Sequence, residues 1–150
     1  MRQAPAFLHA LRGHVPPCVI FAVINTWLNG WCTARRFQRG EHHCCIGQCS
    51  GADELEHYVM CPFFRGCALH FLDINFRIAS LAQFLGVDGV SGHSTVLTAI
   101  HMYATRAVVH RHNLQRIYID DADKLRNLYR ERLRHLAGID GNLGRIIRKM

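Results

Sequence analysis

The sequence predicts an all-α fold, a bundle of helices interrupted by one cysteine-rich segment. Three observations carry that expectation. Apolar residues recur at three- and four-residue spacing through much of the chain. Alternating strand patterns are missing, apart from a tiny hairpin around Cys45–Cys49. Prolines and glycines stand where helices begin and end.

Pro16-Pro17 opens a helix over "PCVIFAVINTWLNG", and Asn29-Gly30 ends it through a left-handed cap. "TARRFQRG" follows as a short basic helix with Thr33 as its N-cap. After the cysteine segment and Pro62, "PFFRGCALHFL" and "NFRIASLAQFLG" read as short buried helices, the second closed by Gly86. Ser94 can cap a long helix in which Val96, Ile100, Tyr103, Ala107 and Val108 recur at helical spacing. A last helix, about 121–137, places Leu125, Leu128, Leu133 and Leu136 on one face and Arg126, Arg130 and Arg134 opposite. Gly138 should stop it, leaving "NLGRIIRKM" as a basic tail.

A chain of 150 residues, 49% apolar and 19% charged, can bury a real core and is globular in composition. Sixteen arginines and two lysines produce a formal net charge of +7. Guanidinium forks suit bidentate phosphate binding, although a GC-rich genome yields the same bias. The charge is uneven, basic over 1–40 and 101–150 and acidic over 41–100, so nucleic-acid affinity should come from the flanks. No run of eighteen apolar residues is present, so no membrane span is expected.

Seven cysteines is an odd number, and no secretory signal is legible before them. An intracellular, reducing location follows, where clustered Cys and His point to metal rather than disulfides. "CCIGQCSGADELEHYVMCP", residues 44–62, contains Cys45-x3-Cys49-x7-His57-x3-Cys61. That is the sulfur and imidazole set of a closed tetrahedral zinc site. The "GQCSG" turn can aim the Cys45 and Cys49 sulfurs at one point, and Asp53 can cap the helix "ELEHYVMC". His57 and Cys61 then share a helical face at i and i+4, and Pro62 begins the exit. Cys44 is a substitute for Cys45, with His42 and His43 as spares. Four protein ligands leave no open position for water, so one structural Zn2+ is expected. The segment has few large apolar residues, chiefly Ile46, Leu55, Val59 and Met60, so metal would supply folding energy.

Together with "NGWCTARRFQ" (29–38) and the helical "LTAIHMYATRAVVHRHN" (97–113), this segment resembles a known region. It is the cysteine–histidine zinc-binding region that follows the reverse transcriptase of non-LTR retrotransposons. The likeness is strongest over about residues 20–65. The resemblance implies Cys45, Cys49, His57 and Cys61 as zinc ligands and a role in handling template RNA or target DNA. A reverse transcriptase or another protein is then a natural partner. The first ligand pair has a three-residue gap where many members have two. The polymerase itself is absent from this chain, so no catalysis is expected.

Two short motifs invite other readings. "YIDD" (118–121) matches a polymerase active-site pattern, but it precedes a strong helical stretch, where acids at a helix start suit the dipole. "HRHN" (110–113) with His101 raises a metal nuclease using His110, His112 and Asp120. Surface or partly buried histidines in a basic helix are the plainer account. Arg35, Arg36 and Arg39 interleave with Trp31 and Phe37, as in contacts to phosphates and unpaired bases. The same aromatics, with Trp27, are equally good packing anchors.

The expected organisation is a basic helical segment (1–40), a zinc knuckle (41–66), a helical domain (67–138) and a basic tail (139–150). The expected function is non-catalytic binding of RNA or DNA through Arg35, Arg36, Arg39, Arg126, Arg130 and Arg134. A zinc-ordered protein–protein module is the alternative.

Overall fold

The computed structural model describes residues 4–33, 35–38, 43–44, 49–74, 81–85, 93–115 and 121–147. Cys45, Arg39, His42, Ile46 and Asp120 lie outside them. The described residues form eight helices: α1 (Ala4–Leu11), α2 (Pro17–Trp27), α3 (Leu55–Met60), α4 (Pro62–Leu72), α5 (Leu81–Phe84), α6 (His93–Gln115), α7 (Ala122–Ile139) and α8 (Gly141–Ile147). They contain no strand beyond one antiparallel bridge between His43 and Ala52. The all-α expectation holds.

The core is built around α6, which packs on α1, α2, α4 and α7. Because it is enclosed on several sides, its buried residues run around the helix rather than along one stripe. They include Val96, Ile100, Met102 and Val108, with the small Ala99 and Ala104 between them. His101 is also buried, at 1% exposure, deeper than the surface or half-buried place expected of it. Its Nδ1 sits 2.7 Å from the Tyr129 hydroxyl, which satisfies both polar groups inside the core.

Pro17 occupies the first turn of α2, where its missing N–H is no loss. The other end is a full Schellman motif. Asn29 is left-handed (φ 50°), Gly30 N–H donates to the Asn25 carbonyl, and Asn29 N–H donates to that of Thr26.

Three local expectations are corrected. Residues 35–38 form a turn rather than a helix, because left-handed Gln38 (φ 51°) ends it after one turn. Thr33 still caps it, its Oγ1 accepting from the Arg36 N–H at 3.3 Å. α6 begins at His93, one residue before the Ser94 expected to cap it. α7 passes through Gly138 to Ile139, and the sequence that follows forms α8 instead of a tail. Asp140 makes that second helix possible: its Oδ1 accepts from the N–H groups of Asn142 and Leu143, and Leu143 and Ile147 are buried.

The leucine face of α7 is as expected for Leu125, Leu133 and Leu136, with Tyr129 added and Leu128 only half-buried. Arg126, Arg130 and Arg134 lie exposed. Asp121 is the N-cap, accepting from the N–H groups of Asp123 and Lys124. No described helix is long and apolar enough to cross a membrane.

Candidate metal centre

The bridge between His43 and Ala52 brings both ends of the cysteine turn together, and Cys44 N–H donates to the Gly51 carbonyl at 2.8 Å. This places the Cys44 sulfur beside the end of α3. His57 comes from α3 itself, and Cys61 is the hinge residue between α3 and α4. Pro62 forces that hinge, since its ring cannot continue α3 yet suits the first position of α4.

One donor atom from each of Cys44, Cys49, His57 and Cys61 lies within 4.8 Å of every other. Cys49 Sγ is 3.2 Å from His57 Nε2, and the Cys44 and Cys61 sulfurs are 4.0 Å apart. That is far beyond a disulfide bond. It is close to the separation of roughly 3.8 Å that two sulfurs adopt on a tetrahedral zinc ion. Among the described residues this is the one such group of three or more donors. The donors fit a structural zinc site, as three soft sulfurs and one imidazole with Cys44 and Cys61 buried.

The protonation chemistry agrees with that fit. Burial lowers the His57 pKa despite the nearby Glu54 and Asp53 carboxylates, keeping the ring neutral with a lone pair to give. The Cys44 sulfur, and then burial, hold the Cys61 thiol far up. A divalent cation among them would counter the rise at Cys61, release the thiol protons and favour the neutral His57 ring further.

Gly51 shapes the cavity, since a Cβ there would run into the His57 ring. Asp53, expected to cap α3, does not. Glu54 holds the cap position without a side-chain bond. The Asp53 carboxylate turns inward, accepting from the Tyr58 hydroxyl at 2.7 Å and from Asn113 Nδ2 at 3.3 Å. Asn113 also donates to the Cys32 carbonyl at 2.6 Å, so the knuckle is tied to α6 and to the chain after α2.

Tyr58 and Trp31 belong to this unit beyond what the cysteine spacing indicates. Both are fully buried and stacked, and Tyr58 meets Phe64 edge-on. For Tyr58 the signal is its helical spacing with Leu55.

Of the expected arginines, Arg35 and Arg36 sit on the turn above the knuckle. Arg35 pairs with Glu54, and its N–H donates to the Asp53 carbonyl. Arg36 lies over the half-exposed Phe37 ring at 5.3 Å. Trp31 is a packing anchor, its Nε1 donating to Thr26 Oγ1 at 2.9 Å.

His101, His110 and His112, all on α6, keep separate company. His101 meets Tyr129, His112 meets Asn113, and His110 Nε2 accepts from the Cys32 N–H at 3.2 Å. Compared with protein-family models, curated proteins and solved structures, the chain matches none.

Proposed function

We propose that this chain is a zinc-ordered, non-catalytic nucleic-acid-binding module, an accessory piece of the kind that follows a retrotransposon reverse transcriptase. The observation that supports this most is the placement of Arg35, Arg36 and Phe37 on a turn fastened to the knuckle through Asp53 and Glu54. Zinc held by Cys44, Cys49, His57 and Cys61 would supply folding energy to that turn, with no open coordination position for chemistry. A site of three thiolates among acidic residues repels phosphate. Its role is therefore to brace the fold and align the arginines that flank it.

A second reading is a zinc-ordered protein-docking module. It draws on Phe21 and Leu28, exposed at 63% and 75% on or just beyond α2.

Titration of labelled RNA and DNA oligonucleotides across a salt series, with zinc-loaded and chelator-treated protein, separates the two. Phosphate binding falls linearly in log K against log salt through counterion release, and chelation should abolish it. Absence of binding at low salt would sink the nucleic-acid reading and leave the docking one.

A further inference from the structure

We infer that the trough between α4 and α7, closed at one end by α8, is a binding site for a single unpaired strand of nucleic acid. This rests on the function proposed above and adds to the turn beside the knuckle a second surface, suited to one kind of strand. Two hollows of about 360 and 410 Å³ meet at His70. Arg126 lines the first, and Arg130 and Arg134 line the second. Four residues apart on one helix, these arginines leave the backbone at steps of about 6 Å. That spacing is comparable to the step between successive phosphates on an extended strand.

Among the described residues no carboxylate lines either hollow, so the charge of the lining itself has one sign. Arg126 is held by Asp123 and Arg130 by Asn127, both through exposed contacts of little strength that a phosphate can replace.

The floor is apolar. Phe71, Leu133, Ala137 and Ile147 lie under the second hollow, and Phe63 and Cys67 under the first. The Cys67 thiol, pushed up to about 12 by burial, stays neutral there. An arginine rim over an apolar floor matches a strand whose phosphates lie outward and whose base faces are free. A duplex turns those faces inward, where an apolar floor cannot meet them. Gly66 keeps the α4 wall low, with open space where its side chain would stand.

The test uses zinc-loaded full chain and fluorescence anisotropy with a labelled twelve-nucleotide oligo(U), an oligo(dT) of equal length and a duplex. The double variant Arg130→Gln/Arg134→Gln is compared with Arg12→Gln/Arg145→Gln, which removes equal charge from exposed positions outside the trough. The expected result is single strands bound about tenfold or more tighter than duplex, with the trough variant weaker by a further tenfold or more. Its salt slope should shrink by about 1.4, for two lost phosphate contacts. The control pair should change affinity by about threefold or less. Preference between oligo(U) and oligo(dT) tells RNA from DNA. Wild-type binding that the trough variant keeps as well as the control does, or equal binding of duplex, would overturn the trough and leave the proposed function standing. No wild-type binding at all would overturn both.

Discussion

Gly51 lies directly against the His57 imidazole, closer than any side chain at that position would allow. The knuckle therefore depends on a hydrogen as much as on its sulfurs. Gly51→Ala must move either the ring or the backbone that carries the Cys44 bond. We expect the variant to bind zinc at least about tenfold more weakly, as is typical when a metal ligand loses its positioning partner. Competition with a chromophoric chelator measures this. Wild-type affinity in Gly51→Ala would show that His57 is not a ligand.

The described donor set is complete with Cys44, so Cys44→Ser should lose zinc and Cys45→Ser should retain one ion per chain. Native mass spectrometry of the two variants, purified without chelator, decides between adjacent cysteines. Zinc lost only in Cys45→Ser would reverse the assignment. In Cys44→Ser, loss of metal should also lower helicity by circular dichroism, since α3 and the hinge at Cys61 depend on the same ion.

Much of this was legible in the sequence, for physical reasons that differ by residue. The His57–Cys61 pair and the Pro62 hinge were readable because helical spacing and proline geometry are local rules. Asp121 at the start of α7 was readable for the same reason. Asp53 departs from the expected cap because its local preference for a helix start loses to partners far along the chain. Asn113 lies sixty residues away, and no window of sequence contains both. His101 lies deeper than its sequence suggests because its compensating partner, Tyr129, comes from another helix. α8 is hidden in the sequence because a short basic segment looks like a tail unless Asp140 caps it and Ile147 is buried.

Asp53 is 7% exposed, and Tyr58 and Asn113 donate to its carboxylate. Tyr58→Phe removes the shorter bond without emptying the stacked place beside Trp31. The expected loss is about 1–3 kcal/mol, the usual result of leaving a buried acceptor underbonded. Urea unfolding of the zinc-loaded protein measures it. Zinc stoichiometry should remain at one, because the hydroxyl is not among the donors. A fall in zinc content instead would mean that Asp53 positions the site itself.

Acid should destabilise the fold through His101. Burial pushes its pKa to about 3, against 6.5 in the unfolded chain. The folded ring stays neutral where the unfolded one takes a proton, so its contribution is present above 6.5 and lost as pH falls towards 3. Between pH 7.5 and 5.5 the loss from this residue is about 1.4 kcal/mol, one pKa unit's worth. His110, pushed to about 4 by burial and then by Arg106, loses stability in the same direction over a similar window. Unfolding of wild type and His101→Gln at the two pH values, with zinc saturating, isolates the first term. Equal losses in both proteins would mean that His101 titrates normally.

Gly138 and Gly66 both lie inside helices, neither has a positive φ, and a Cβ at either would meet nothing. A glycine that stopped α7 by turning left-handed would resist replacement, because alanine is strained there. A glycine within the helix has the opposite sign, since alanine restricts the unfolded chain more and fits the helix better. We expect Gly66→Ala to stabilise by about 0.5–1 kcal/mol, and Gly138→Ala by somewhat less because it is near the helix end. For a chain of this length each kcal/mol moves the Tm by about 2–4 °C. The double variant should therefore melt a few degrees above wild type by differential scanning fluorimetry in excess zinc. A lower Tm for Gly138→Ala alone would mean that α7 ends there and that α8 begins after a true break.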